Sequence, residues 1–211
     1  MRVADLVPAS GAGWAVRVAV DGVDGAGKTV FADELAAVLT GRGRAVLRAS
    51  VDGFHHPRPV RHRRGRDSAE GFWLDSYDHD RLVAELLGPL GPGGTGVVRT
   101  AVHDWRTDRP VDAPPLRVPR RSVLVLDGIF LHRDELAAYW DFSVYLDVDF
   151  SVSVPRMAAR DGTPADPADP ANRRYVGGQR HYLAACRPRD RATVVIDNTD
   201  LRAPRVVRTA R

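Results

Sequence analysis

A glycine-rich segment carries the residues whose types and spacing could do chemistry. Residues 22–29 read Gly-Val-Asp-Gly-Ala-Gly-Lys-Thr, which is the pattern G-x-x-x-x-G-K-[ST]. Glycines let successive backbone N–H groups turn toward one anion, and a helix that begins here adds its positive end. Lys28 is the only lysine of the chain, and its compact ammonium group suits the β- and γ-phosphates of a nucleotide.

The same loop supplies candidate contacts to a nucleotide and to a metal ion. The predicted nucleotide contacts are Gly22, Asp24, Gly25, Ala26, Gly27, Lys28, Thr29 and Val30. An apolar strand pattern over 123–126 ends at Asp127-Gly128, and parallel sheets bind ligands at the carboxyl ends of their strands. Thr29 and Asp127 are therefore the predicted ligands of Mg²⁺. An ordinary Asp-Gly turn is the alternative for Asp127.

A second carboxylate, Asp52, follows the predicted strand over 45–51. It would lie at the same edge of the sheet, where it could accept a proton from a hydroxyl group during phosphoryl transfer. An Asp-Gly turn is again the alternative. A base of this kind would distinguish a kinase from other proteins that bind nucleotides.

The elements that position these residues alternate between strand and helix. The patterns predict strands over 14–20, 45–51, 97–102, 123–126, 142–146 and 193–196, and helices over 30–39, 82–87, 131–140, 152–160 and 173–185. This order predicts one α/β domain over 1–211 with a doubly wound parallel sheet. We expect a loose leader over 1–13, a mobile loop over 161–172 and a lid over 156–176.

Composition excludes several other classes of protein. The 31 Lys+Arg against 27 Asp+Glu give a net charge of +4, and 44% of residues are hydrophobic. One cysteine excludes a disulfide framework, and the chain has no apolar run of the length that a membrane helix needs. We therefore expect a cytoplasmic protein that binds neither membranes nor nucleic acid. Arg58, Arg61, Arg63, Arg64 and Arg66 form a basic loop, which fits either an anionic ligand or plain solvated surface.

Several segments together resemble the uridine kinase family, which is grouped with phosphoribulokinase and bacterial pantothenate kinase. They are the glycine-rich loop, Asp52-Gly-Phe-His55, Phe72 to Asp80, His103-Asp104-Trp105 and Leu126-Asp127-Gly128. They occur in order between about residues 14 and 200. The resemblance implies transfer of the γ-phosphoryl group of ATP, with Mg²⁺, to a hydroxyl of a nucleoside. It also implies association into homo-oligomers.

The resemblance assigns further roles on the acceptor side. Asp52 would be the general base, and Asp78 would bind sugar hydroxyls unless it is only a helix N-cap. The other predicted contacts to the acceptor are Phe54, His55, His103, Trp105 and Arg109. This sequence lacks the histidine with which the family reads a pyrimidine, because it runs Arg106-Thr-Asp-Arg109 there.

Three arginines complete the predicted site. Arg160 and Arg156 lie one helical turn apart, where both could face the phosphates and stabilise the transferring group. Arg187 precedes the last predicted strand and could stack on adenine. For all three, a solvated surface position is the alternative.

Other functions stay open from the sequence. The acceptor could be pantothenate, another sugar or a specialised metabolite. The chain could also be a nucleotide-dependent switch or a nucleic-acid binder. Of these hypotheses, we prefer a kinase that phosphorylates a nucleoside such as uridine or cytidine.

Overall fold

A computed structural model describes residues 3–9 and 13–210, which form ten strands and nine α-helices. They also form three 3-10 helices (Val3–Asp5, Val51–Gly53 and Pro170–Asn172) and a π-helical segment, Val83–Leu87. The strands are β1 (Val16–Gly22), β2 (Val46–Ser50), β3 (Val97–Val98), β4 (His103–Asp104), β5 (Arg109–Pro110), β6 (Leu116–Arg117), β7 (Val123–Gly128), β8 (Phe142–Asp147), β9 (Val194–Asp197) and β10 (Arg205–Thr209). The helices are α1 (Lys28–Gly41), α2 (Arg58–Arg61), α3 (Ala69–Asp75), α4 (His79–Leu82), α5 (Gly88–Leu90), α6 (Asp134–Ala137), α7 (Phe150–Asp161), α8 (Arg173–Cys186) and α9 (Pro188–Arg191).

Six of the strands form one sheet in the order β10-β9-β8-β1-β7-β2. All of them run parallel except β10, which is antiparallel to β9. The predicted α/β class with a parallel sheet is therefore confirmed. The register sets Ser50 of β2 beside Asp127 of β7, and Asp127 beside Val20 of β1. The carboxyl ends of these three strands thus meet at one edge of the sheet.

Both faces of the sheet are covered by apolar side chains. Every residue of β1 and β7 is buried, as expected for central parallel strands. Leu124 and Leu126 face one buried cluster, which also holds Phe54 and Phe130. Val123 and Val125 face the other, which α1 closes. Alternate residues of one strand thus serve opposite faces.

Two of the predicted elements differ from the observed ones, and one observed strand was not predicted. The strand expected over 97–102 is only Val97–Val98, which pairs with β6 outside the main sheet. The helix expected over 131–140 is only Asp134–Ala137, because the backbone is extended at Arg133 and has a positive φ of 67° at Phe130. The backbone N–H groups of Leu131 and His132 donate to the Asp21 carboxylate instead of belonging to this helix. The edge strand β10 was not predicted. Its burial alternates between half-buried and exposed.

Two segments that were expected to be loose make defined contacts. In residues 3–9, Ala4 and Val7 are buried beside α1, whereas residues 1, 2 and 10–12 of the predicted leader lie outside the described residues. In the loop after α7, the buried Asn172 side chain donates from Nδ2 to the carbonyls of Pro164 and Asp166, each at 2.8 Å. In the part of the chain that is described, no helix is long and apolar enough to cross a membrane.

Candidate active site

The glycine-rich loop joins β1 to α1 and packs closely on its neighbours. Gly25 and Gly27 have φ angles of +77° and +90°, which favour glycine. A Cβ atom at Gly25 would lie 2.1 Å from the Ser153 carbonyl oxygen of α7. The Asn198 side chain, which follows β9, donates from Nδ2 to the Ala26 carbonyl at 2.7 Å. The loop is therefore fixed by its own backbone and by both of these neighbours.

The side chains that follow the loop contact partners at the same edge. Lys28 Nζ donates to the Val23 carbonyl at 2.9 Å and lies 4.0 Å from Asp24 Oδ1. Thr29 Oγ1 donates to Asp127 Oδ2 at 2.8 Å. These oxygens suit Mg²⁺, which prefers oxygen ligands and takes few from the protein when it also binds phosphates. The described residues contain no cluster of three or more His, Cys, Asp or Glu side chains that could hold a metal ion.

An arginine that the sequence analysis missed holds Asp127. Arg48 of β2 donates from Nη2 to Asp127 Oδ1 at 3.0 Å, and from Nη1 to the carbonyls of Ala49 and Val125 at 2.8 and 2.9 Å. The Asp127 side chain is only 3% exposed. Because burying an unpaired carboxylate is costly, Arg48 offsets that cost and fixes the orientation of Asp127. The parallel pairing of β2 with β7 creates this contact, which no local pattern indicates.

Helix α8 supports the loop through a residue that was also missed. The backbone N–H of Asp24 donates to Gln179 Oε1 at 2.6 Å, and Gln179 is 2% exposed. Burial raises the pKa of the Asp24 carboxyl, and the nearby Lys28 partly opposes this. One turn further along α8, the Tyr182 hydroxyl donates to Asp21, the residue that precedes the loop.

A cavity of about 470 Å³ opens beside the loop. Five of the predicted site residues line it together, namely Asp24, Asp52, His55, Trp105 and Arg160. Arg61 of the basic loop also lines it, and so do residues that were not predicted, among them Tyr77, Thr163, Arg174 and Tyr175. The cavity is thus bounded by the phosphate loop, by the segment after β2, by α7 and by α8. Its volume suits a small molecule.

Asp52 is held by its neighbours at one side of this cavity. Its backbone N–H donates to Ser50 Oγ at 3.3 Å, and Tyr77 Oη donates to its Oδ1 at 3.2 Å. His55 Nδ1 lies 3.0 Å from its carbonyl oxygen. Burial lowers the pKa of His55, although its contacts with Asp52 oppose the shift. His55 is therefore neutral at pH 7, and Asp52 is the acid group that faces the cavity here.

Four predicted acceptor contacts do not line the cavity. Phe54 is fully buried in the core, where it anchors the turn that carries Asp52. Asp78 caps α4, since Arg81 N–H donates to its Oδ1 at 2.9 Å. His103 is buried, with Nε2 3.1 Å from Asp108 Oδ1. Arg109 is exposed in β5.

The remaining predicted residues have different surroundings. Arg160 pairs with Asp161 through two bonds of 2.7 Å at the rim of the cavity. Arg156 donates to the carbonyls of Asn198 and Thr199, beside the loop rather than over it. Val30 is 63% exposed in the first turn of α1. Arg187 lines a separate hollow of about 680 Å³, which none of the loop residues lines.

Comparisons with known proteins agree with this geometry. The model of the phosphoribulokinase/uridine kinase family matches residues 17–164. A search of curated proteins found no match. Among solved structures, a possible uridine kinase from Bacillus stearothermophilus is 21% identical and has a TM-score of 0.71, with 92% of this chain and 94% of that chain covered.

More distant structures share the fold. Phosphoribulokinase from Rhodobacter sphaeroides is 15% identical with a TM-score of 0.58, over 88% of this chain and 71% of that one. D-glycerate 3-kinase from Cryptococcus neoformans is 12% identical with a TM-score of 0.55, and the match covers 93% of this chain and 89% of that chain. The family match extends over more than half of the residues and includes both the glycine-rich loop and Asp127. The chain therefore belongs to the phosphoribulokinase/uridine kinase family of kinases.

Proposed function

We propose that this kinase transfers the γ-phosphoryl group of ATP to a hydroxyl group of a small molecule bound in the 470 Å³ cavity. One observation carries the proposal. Asp24 of the phosphate loop and Asp52 after β2 line the same cavity, so a hydroxyl beside Asp52 is also close to the phosphate site. In-line transfer requires this proximity of donor and acceptor.

The donor side follows from the loop and its neighbours. The backbone N–H groups of the loop and Lys28 bind the phosphates. Thr29 and Asp127 would hold Mg²⁺, which would neutralise charge on the β- and γ-phosphates. Arg156 and the residues after β9 lie beside the loop, where the rest of the nucleotide extends.

The acceptor side supplies the base. As the acceptor oxygen forms its bond to Pγ, the bond between Pγ and the β,γ-bridging oxygen breaks, and ADP leaves. Asp52 accepts the proton of the acceptor hydroxyl, while the Tyr77 hydroxyl holds the other side of the carboxylate. Arg160 at the rim stabilises charge on the transferring group. Closure of the lid over 156–176 excludes water, which would otherwise hydrolyse ATP.

Two acceptor classes follow from different observations. The family resemblance favours a nucleoside such as uridine or cytidine, and the rings of Tyr77 and Trp105 beside His55 offer surfaces for a planar base. A pantothenate-like acid or another small metabolite is the alternative, which the arginines of the cavity favour.

A screen of ATP consumption tests the function. Nucleosides, pantothenate and sugars serve as acceptors, and each product is identified by mass. We expect Asp52→Asn to lower kcat by about 1,000-fold, the size of a lost general base, and to change the Kd of ATP less than twofold.

Asp112→Asn is the matched control, because Asp112 is exposed outside the cavity. It should keep full activity. Full activity in Asp52→Asn would contradict the role of Asp52. Slow ATP hydrolysis without any phosphorylated product would indicate a nucleotide-dependent switch instead.

A further inference from the structure

We infer that the acceptor of this kinase is an anionic alcohol, whose carboxylate or phosphate group Arg61 binds at the side of the cavity formed by α2 and the start of α8. This inference rests on the proposed function. It specifies the substrate class of the same cavity and distinguishes an acid from a neutral nucleoside.

Arg61 is the residue on which the inference depends. It lines the cavity, yet its side chain is only 12% exposed. Nη2 donates to Asp108 Oδ1 at 3.3 Å and to the Trp105 carbonyl at 3.4 Å. Nε is buried without a hydrogen-bond partner among the described residues. A guanidinium group has five N–H donors, and leaving them unpaired in a buried position is costly.

Asp108 compensates only part of this charge. The same oxygen, Oδ1, accepts the backbone N–H of Arg58 at 2.8 Å and lies 3.1 Å from His103 Nε2. Arg61 thus shares one carboxylate oxygen with two closer partners. A bidentate pair, the arrangement in which arginine binds a carboxylate most strongly, is absent here.

Arg174 adds a second cation on the same side. It is 9% exposed and donates to the carbonyls of Arg61, Arg66 and Ser68, at 3.0 to 3.2 Å. Carbonyl groups satisfy its donors but do not cancel its charge. Burial lowers the pKa of His62, and Arg174 and Arg61 lower it further. This side of the cavity is therefore positive.

The charges of the cavity are separated by element. Asp24 and Asp52 belong to the phosphate loop and to the turn after β2. The third acid, Asp161 of α7, is paired with Arg160. Arg61 and Arg174 belong to α2 and α8 and contact each other, since Arg174 Nη2 donates to the Arg61 carbonyl. An acceptor with a hydroxyl at one end and a negative group at the other matches this separation.

Another side chain of the cavity also lacks a partner. Thr163 Oγ1 is buried and has no hydrogen bond among the described residues, and Thr163 lines the same cavity. Buried polar atoms are normally paired. A carboxylate or phosphate group has enough acceptor oxygens to bind both a guanidinium and a hydroxyl.

The other arginines of the basic loop differ from Arg61. Arg63 and Arg64 both pair with the buried carboxylate of Asp75. Burial would raise the pKa of Asp75, but hydrogen bonds and charge from Arg63 and Arg64 lower it overall. These two arginines therefore compensate a buried acid of α3, and their charge is not available to a ligand.

Matched pairs of alcohols test the inference. Glycerate and glycerol, or pantothenate and pantothenol, differ by a carboxylate, whereas ribose 5-phosphate and ribose differ by a phosphate. Uridine represents neutral nucleosides. We expect kcat/KM to be at least about 100-fold higher for the anion of one pair, because a site built for a polar group rejects the analogue that lacks it. The pair that shows this ratio identifies the anion.

Variants of Arg61 assign the effect to its side chain. Arg61→Met should reduce that ratio to below about tenfold by raising KM for the anion, with KM for ATP unchanged, and Arg61→Lys should restore part of it. Arg58→Met, exposed on the same helix, is the control and should keep the ratio. Thermal unfolding of each variant verifies that it is folded.

The outcomes separate the two proposals. Equal kcat/KM for the members of every pair, or preferred turnover of uridine, would overturn the anion subsite while the kinase function stands. An unchanged ratio in folded Arg61→Met would also overturn it. If no acceptor gave a phosphorylated product that depends on Asp52, the proposed function and this inference would both fall.

Discussion

The two sides of the active site are built in different ways. On the phosphate side, Thr29, Asp127 and Arg48 form a chain of hydrogen bonds, and Gln179 pairs with the loop backbone. On the acceptor side, Arg61 Nε and Thr163 Oγ1 are buried without partners among the described residues. The residues that hold the first side pair with one another, whereas the second side has unpaired polar groups that line the cavity and can bind a ligand. In the proposed function, the internally paired side would bind the nucleotide, and the side with unpaired polar groups would bind the acceptor.

Among changes on the phosphate side, the largest effect is expected at Gly25, where the loop packs most closely against α7. A Cβ atom in Gly25→Ala would meet the Ser153 carbonyl at 2.1 Å, at a φ of +77°. Since a displacement of about 1 Å can cost about 100-fold in rate, we expect kcat/KM for ATP to fall at least that much. Steady-state kinetics measures it.

Gly43→Ala is the matched control for the loop. Gly43 has a φ of +79° but no atom within 4 Å of the added Cβ. It should lose about 1 kcal/mol of stability from the left-handed backbone and keep its activity. Normal kinetics in Gly25→Ala would show that the contact with α7 does not fix the loop.

A smaller effect is expected from Arg48→Met, which removes the partner of Asp127. Loss of a residue that orients a metal ligand typically costs about 10- to 100-fold, so the Mg²⁺ concentration for half-maximal rate should rise about tenfold. Initial rates over a range of Mg²⁺ at fixed ATP measure this. Asp33→Asn removes only the other carboxylate that Arg48 contacts and should leave the Mg²⁺ dependence unchanged. If both variants raised the Mg²⁺ concentration for half-maximal rate equally, Arg48 would affect catalysis by stabilising the fold and not by orienting Asp127.

The smallest effect on catalysis is expected from a change at His79, which does not line the cavity. Burial, aided by the charge of Arg133, lowers the pKa of His79 from 6.5 to about 4. The unfolded chain therefore binds a proton that the folded one does not, so the free energy of unfolding falls as the pH drops from about 6.5 to 4. The loss approaches about 3 kcal/mol at pH 4. Denaturant unfolding at several pH values measures it.

His79→Gln should flatten that pH dependence without changing activity at pH 7.5, whereas His181→Gln, at an exposed position, should not. An identical pH dependence in wild type and His79→Gln would contradict the assignment. The same measurement shows whether a loss of activity at acidic pH comes from unfolding of the protein or from a change in catalysis.

The sequence revealed the phosphate side well because its chemistry is local. Gly25, Gly27, Lys28 and Thr29 are neighbours in the chain. The positive φ angles require the two glycines, and the expected phosphate and metal contacts account for Lys28 and Thr29. The family and the parallel sheet were predicted correctly from such segments. Arg48 was not predicted as a site residue, because its contact with Asp127 depends on the pairing of β2 with β7. No spacing in the sequence reveals that pairing.

The acceptor side was harder to predict because its residues come from distant segments. Arg61, Thr163 and Arg174 meet only in the folded chain. Phe54 and His103 have residue types that could bind a ligand, yet both are buried outside the cavity. Likewise, the backbone N–H groups of Leu131 and His132, where a helix was expected, donate to a carboxylate more than 100 positions away in the chain.

Helix α8 has a consequence for any attempt to redesign the enzyme for a new acceptor. It contributes Arg174 and Tyr175 to the cavity, and through Gln179 it also steadies the ATP-binding loop. Random changes along α8 would therefore sacrifice turnover together with selectivity. A mutant library that changes residues of α2 and Trp105 would instead alter acceptor specificity and leave the contacts between α8 and the phosphate loop intact.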